Sequence, residues 1–228
     1  MTLEQIMGMI DLSCVQGCNT LAEIDEMVGF AYEHKPKCLF TLPAFTPYLA
    51  QKLEEKGRRG ILLGGTMGFP SGGELTEVKV LTAQRMLEAG CDEFDMVINI
   101  GALKSGLYDF VLNDIRSVVE AVPGHTTKCI LEVTRLTDDE IKRGCELAVK
   151  AGITFVKSGT GWMPNPTTVE HIKLMKSVVG NAAQIKAAGG IRNIDTIAKM
   201  TEAGCTRFGI GLQSCKKIAE EAVKNAKL

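Results

Sequence analysis

Apolar residues along this chain fall into two alternating rhythms. Short runs dense in Ile, Leu, Val, Met and Phe, such as "GMIDLS", "KCLFTL" and "EFDMVINI", are followed by longer stretches in which apolar residues return every three or four positions. The first rhythm suits a strand and the second an amphipathic helix. The boundaries carry marks of their own. Gly57, Gly90, Gly124, Gly152, Gly180 and Gly204 each stand between a helical pattern and the next strand. There a chain leaving a helix turns left-handed, a conformation that costs glycine no steric clash. Helix starts are marked too. Thr20 with Glu23, Thr137 with Glu140 and Thr167 with Glu170 have the spacing of a capping box. Thr46 before Pro47 reads as an N-cap followed by proline at the first helical position.

The runs "GILLGGT", "KCILEV", "ITFVKS", "QIKAA" and "TRFGIG" bring the strand candidates to eight, each followed by a helical segment, and "AEEAVKNAKL" reads as the last helix. Strands alternating with helices give a parallel sheet. Eight such units in 228 residues is the count of a (β/α)8 or TIM barrel. A doubly wound open sheet is the alternative, but no G-x-G-x-x-G opens the first helix. No linker or low-complexity stretch divides the chain, so one domain over residues 1–228 is expected.

Composition narrows the function classes. The formal net charge is −1 and the charges are interspersed, without the basic stripe that nucleic acid or an anionic membrane would require. No apolar run approaches the about 20 residues of a membrane-spanning helix. The start "MTLEQIMGMI" has neither the basic opening nor the long apolar core of a signal peptide. Of eight cysteines only Cys14 and Cys18 are close, and the three histidines are far apart, so neither a metal site nor a disulfide framework is expected. Scattered cysteines of this kind behave as small core residues in a reducing, cytoplasmic compartment.

Charge on the strands is the informative feature. Side chains alternate across a strand. In "EFDMVINI", Phe94, Met96, Ile98 and Ile100 share the face that meets the helices, so Asp95 and Asn99 point into the barrel. In "KCILEV" the same reasoning leaves Ile130 and Glu132 inside; in "QIKAA" it leaves Gln184 and Lys186 inside. The run "ITFVKS" is apolar on both faces, but a lysine does not sit comfortably among packed helices, so Lys157 is placed inward. Asp95, Glu132, Lys157 and Lys186 are therefore expected to share one interior near the C-terminal rim. Burying four charges is expensive unless they pair. A purely structural ion-pair cluster is one reading. The other is an active site, because the active sites of these barrels lie at the C-terminal ends of the strands.

Two neighbouring lysines imply carbonyl chemistry. A free lysine is neutral in only roughly one molecule in a few thousand at pH 7. Burial and a second cation both lower its pKa, and a neighbouring ammonium in a low-dielectric cavity is expected to supply the shift. One lysine then attacks a carbonyl and becomes an imine, an electron sink beside which a carbon–carbon bond breaks or forms, while a carboxylate such as Asp95 moves protons. That chemistry asks for no metal or other cofactor. Gly189 and Gly190 in "KAAGGI", with Gly209 and Gly211 in "RFGIG", offer bare backbone to an anion after strands 7 and 8, where such barrels bind phosphate. "GGTMGFPSGG" lacks a Walker lysine and reads as a strand end and loop.

The stretches "CDEFDMVINIGALKSG", "CILEVTRLTDDEI", "AGITFVKSGTGW", "KAAGGIRNIDTIAKMTEAGCTRFGIG" and "MGFPSGGELTEVKV" resemble deoxyribose-phosphate aldolases, nearly end to end. The resemblance implies a TIM-barrel class I aldolase that cleaves 2-deoxy-D-ribose 5-phosphate to D-glyceraldehyde 3-phosphate and acetaldehyde, as a homodimer. It makes Lys157 the Schiff-base lysine, Lys186 the second lysine and Asp95 the proton-relay acid. It also keeps Asp11, Thr160 and Gly161 as substrate-binding residues. Departures fall on the substrate grip. Gly211 and Leu212 stand where the family commonly has two serines, Trp162 where it sometimes has lysine, and "FTLP" replaces C-V-N-P. The same imine chemistry on another sugar phosphate or an unphosphorylated sugar is thus an alternative, as is a metabolite-binding barrel without catalysis. Trp162 is expected either to stack on a substrate or to lid the pocket.

Overall fold

The computed structural model describes residues 1–225. Eight parallel strands close on themselves in chain order: β1 (Ile10–Cys14), β2 (Cys38–Thr41), β3 (Leu62–Met67), β4 (Glu93–Val97), β5 (Thr126–Ile130), β6 (Phe155–Lys157), β7 (Gln184–Ala188) and β8 (Arg207–Gly211). Closure is made by β8 returning to β1, with Gly209 opposite Asp11. Around them run α1 (Leu3–Met7), α2 (Leu21–His34), α3 (Thr46–Lys56), α4 (Thr76–Glu88), α5 (Ile100–Lys104), α6 (Tyr108–Ala121), α7 (Asp138–Lys150), α8 (Val169–Val179), α9 (Ile194–Glu202) and α10 (Leu212–Asn225). This is the (β/α)8 barrel that the alternating pattern predicts. The expected last helix is present through Asn225, and its final three positions lie outside the described residues. Among the described residues no helix is long and apolar enough to cross a membrane. All eight cysteines are free thiols, and seven are buried.

The boundary marks act as the sequence implies, with two displacements. All six punctuating glycines have positive φ, from 52° at Gly180 to 99° at Gly204. Thr20 with Glu23 and Thr137 with Glu140 form complete capping boxes. The third box is made by Thr168 and His171 instead of Thr167 and Glu170. Thr167 is drawn inward, where its hydroxyl donates to the Ala188 carbonyl at 2.7 Å. Likewise Thr46 is the first residue of α3 and not its cap, because a 3-10 turn over Pro43–Phe45 runs straight into the helix.

The alternation of the strands separates two interiors. Phe94, Met96, Cys129, Ile185 and Phe208 join the main core between sheet and helices. Inside the barrel, a small apolar group of Val15, Cys38 and Phe40, packed on Leu42, Leu62 and Phe69, fills the β1–β3 side. Beyond it lie the interior charges, with the Phe155 ring set against Lys128 and Arg207.

Outside the barrel one ion pair is also dry. Lys79 of α4 places Nζ 2.6 Å from Asp114 Oδ2 of α6 and 3.1 Å from the Val97 carbonyl at the end of β4, and Thr76 donates to Asp114 Oδ1 at 2.8 Å. Neither charged side chain has any exposed surface. Asp114→Ala strands a buried ammonium and is expected to destabilise the fold by about 3–5 kcal/mol. The double variant Lys79→Met with Asp114→Leu is expected to recover most of that in denaturant unfolding. A single-variant loss below about 1 kcal/mol would show that Lys79 reaches water instead.

Candidate functional site

The parallel register brings the inward charges together. Asp95 lies opposite Lys128, Lys157 opposite Lys186, and Lys186 opposite Arg207. Asp95 is the hub. Its Oδ2 accepts from Lys157 Nζ at 2.8 Å and from Lys186 Nζ at 2.7 Å, while its Oδ1 accepts from Lys128 Nζ at 2.8 Å. Asp11 stands 2.5 Å from Lys186 Nζ through Oδ2 and 2.6 Å from Arg207 through Oδ1. Glu93 binds Lys128 at 2.6 Å and Arg207 at 3.1 Å. Four cations thus face three carboxylates, leaving one positive charge in excess. All seven residues are buried.

That excess has a place to go. Burial, opposed by Asp95 and aided by Lys186 and Lys128, lowers Lys157 to about 8. Dehydration is thus the leading cause and the neighbouring ammonium a secondary one, the reverse of the emphasis the sequence suggests. Lys157 touches one carboxylate, whereas Lys186 touches two and Lys128 three. Lys128 is raised: burial acts against its charge, but Asp95, Asp11 and Glu93 prevail. Burial would also raise the carboxylates, yet the cations win. Asp95 is held well below its ordinary value by Lys128, Lys157 and Lys186, and Asp11 falls to about 2 through Lys186, Lys128 and Arg207. Asp11, Cys38 and Glu93 lie close enough to share a metal ion, but the Lys128 ammonium already sits 2.6 Å from Glu93.

Above the cluster, at the C-terminal mouth, opens a cavity of about 230 Å³. Lys157, Lys186 and Asp11 reach its wall, as do Thr160, Gly161, Gly189, Gly190, Gly209 and Gly211, so the structure gathers all the expected substrate-binding residues. Asp95 does not line the wall; it lies beneath the lysines, fully buried. Gly209 has a direct reason to be glycine, since a Cβ there would come within 3.3 Å of Lys186 Cε and 2.9 Å of Ala188 Cβ.

Two expectations need correction, and of the two readings of Trp162 the stacking one falls away. Glu132 does not join the lysines. β5 ends at Ile130, and Glu132 takes a left-handed φ of 59° at a 3-10 turn, which breaks the strand alternation. Its carboxylate accepts the backbone N–H and the hydroxyl of Thr160, pinning the loop that follows Lys157. Asn99 does not point into the barrel either; it caps α5 by accepting the Ala102 N–H at 2.9 Å. Trp162 is absent from the cavity wall. Its indole N–H donates to the Val15 carbonyl at 2.9 Å and its ring meets Phe69 edge-on, so it staples the β6 loop to the β1 loop.

Sequence reasoning missed Lys128, Glu93 and Arg207 as partners, although each shares strand parity with an inward residue: Ile130, Asp95 and Gly209. It also missed Arg192 and Ser214 on the cavity wall. Arg192 precedes α9 and Ser214 lies in the first turn of α10, where no strand alternation reports direction.

Comparison with known proteins is consistent throughout the chain. Residues 6–217 match the family described as DeoC/LacD family aldolase. A deoxyribose-phosphate aldolase of Rhizobium meliloti (strain 1021) is 43% identical over 206 residues, covering 90% of this chain and 82% of the relative. One from Carboxydothermus hydrogenoformans is 43% identical over 209 residues, covering 90% of each. A solved structure described as "QR15, an Aldolase" superposes with a TM-score of 0.89 at 32% identity, covering 97% of both chains.

Proposed function

The chain belongs to the DeoC/LacD family of aldolases, and from that premise we propose a class I aldehyde-lyase that forms an imine at Lys157 and reversibly cleaves 2-deoxy-D-ribose 5-phosphate to D-glyceraldehyde 3-phosphate and acetaldehyde. The observation that carries the reading is a dehydrated lysine at the cavity wall, sharing one carboxylate oxygen with a second ammonium. With Lys157 lowered to about 8, roughly a tenth of the molecules present a neutral amine at pH 7.

The neutral amine adds to the C1 aldehyde of the open-chain sugar, and the carbinolamine loses water to give an iminium. The C2–C3 bonding pair then flows into the iminium as the C3 hydroxyl releases its proton, so that C3 becomes the aldehyde of glyceraldehyde 3-phosphate. The remaining two-carbon enamine takes a proton at C2, and hydrolysis frees acetaldehyde and the amine. Lys186 is suited to deliver the proton that the carbinolamine oxygen needs, with Asp95 beneath it completing the relay. Asp11 is among the cavity-lining residues and its buried Oδ2 is paired with Lys186 Nζ at 2.5 Å, so the C3 hydroxyl proton is suited to pass to the Lys186–Asp95 relay. Gly189, Gly190, Gly211 and Arg192 suit the phosphate, at the backbone approaching the N-termini of α9 and α10.

One observation favours a second reading. Gly211 offers no hydroxyl to the cavity, and the Trp162 side chain is turned to Val15. The same imine chemistry on a sugar without phosphate follows if Arg192 and Ser214 do not compensate.

Borohydride reduction in the presence of acetaldehyde tests the chemistry. Peptide mass analysis should find the two-carbon label confined to Lys157, with a trapping rate that falls about tenfold per pH unit below about 8. Absence of label, or an acid limb near the ordinary lysine value of about 10.4, would defeat it. Equal kcat/KM for 2-deoxyribose and its 5-phosphate would select the second reading.

A further inference from the structure

Two buried rings meet the charges of the barrel interior: Phe155 lies against Lys128 and Arg207, and Phe40 against Lys186 and Lys128. Phe40 of β2 is buried, belongs to the apolar group and lines the cavity. Its ring centroid lies 4.5 Å from Lys186 Nζ and 4.8 Å from Lys128 Nζ. Among the described residues no ring stands in that relation to Lys157. The neighbouring strand is shaped for it: Gly64 is opposite Phe40 in register, and a Cβ at 64 would fall 2.1 Å from a ring carbon.

We propose that Phe40 is a positioning residue whose ring face holds the Lys186 ammonium in place beside Lys157 and favours its charged form. The proposal rests on the imine reading and adds to it how the second lysine is kept in its proton-donating form. The groups facing Lys186 are Asp11 from β1, Asp95 from β4, and the cations Lys128, Lys157 and Arg207 from β5, β6 and β8, which approach it through the shared carboxylates. Cys38 of β2 and Cys205 before β8 add uncharged thiols, both pushed up by burial. Asp11 already pairs with Lys186 and not with Lys157, and the ring adds to that preference. A ring quadrupole acts only at contact distance and carries no net charge. It therefore stabilises the ammoniums it touches, Lys186 and Lys128, without placing a charge of its own beside Lys157.

Fluorination of the ring weakens the quadrupole with little change of shape. Replacing Phe40 by its 4-fluoro, 3,5-difluoro and 3,4,5-trifluoro analogues should lower the basic limb of the kcat profile stepwise, by about one pH unit at the last step. The acid limb of borohydride trapping at Lys157 should stay near about 8. Phe40→Leu should behave as the trifluoro form. A basic limb that does not move across the series, or a uniform loss of rate at every pH, assigns Phe40 to packing and overturns the proposal. Trapping by the native protein is scored first. Its absence overturns the imine reading together with this one, whereas normal trapping with an immobile basic limb overturns this one alone.

Discussion

Lys157→Met is expected to abolish the borohydride label and to lower turnover by about 10⁴-fold or more, the scale of removing a covalent nucleophile. The same substitution should stabilise the fold. Methionine matches the length and apolarity of the lysine stem, so it fills the space without a charge. It also removes the one cation that the three interior carboxylates leave unbalanced. In the native protein the buried amine titrates at about 8, against an ordinary value of 10.5. Between those two pH values the unfolded chain binds a proton that the folded chain does not, so native stability rises with pH across the window. Below about 8 the folded state holds the surplus charge in full. The depressed pKa then corresponds to about 3 kcal/mol of stability forgone. The methionine variant should therefore melt several degrees higher at pH 7, and its advantage should shrink as pH rises from about 8 toward 10.5. Unchanged turnover, or a lower melting point at pH 7, would contradict the assignment of Lys157 as a strained nucleophile.

The fold was legible because a closed barrel repeats one unit, and each repeat punctuates itself with a left-handed glycine and, often, a capping box. Lys157, Lys186 and Asp95 were legible because each sits within a strand where alternation reports direction. Glu132 shows where that logic fails. Parity carried past the last paired residue, Ile130, assigns it inward, but the chain has already turned. Asn99 fails for the same reason, two residues beyond Val97. Lys128, Glu93 and Arg207 were within reach of the same parity. Glu93 and Arg207 open their strands, however, below the level where active-site residues are expected, and Lys128 lies mid-strand opposite Asp95. The charge balance that singles out Lys157 needs the closed register between non-consecutive strands, such as Arg207 with Glu93, which no local pattern encodes. Trp162 is the loop counterpart: its partner Val15 lies on the far side of the barrel seam in sequence.

Asp95→Asn should separate two properties that most active-site substitutions lose together. The carboxylate holds Lys128 with one oxygen and both Lys157 and Lys186 with the other. An amide offers one oxygen and one NH₂, so either rotamer aims a donor at an ammonium. Four cations then share two carboxylates, and breaking the hub of a buried ion network is expected to destabilise the fold by about 3–5 kcal/mol. Turnover should fall about 10²–10⁴-fold, because Lys186 is no longer held where its proton is needed. Imine formation should respond in the opposite sense. Asp95 is the one carboxylate in contact with Lys157 and the leading influence raising its pKa. Its loss drives the acid limb of borohydride trapping below about 8 and leaves more neutral amine at pH 7. The expected protein is less stable and slow to turn over, yet labelled at Lys157 at lower pH than the native enzyme. An acid limb that rises instead would mean that water entering the opened cluster outweighs the lost carboxylate, and that dehydration in this barrel depends on the ion network rather than on the apolar wall around Phe40.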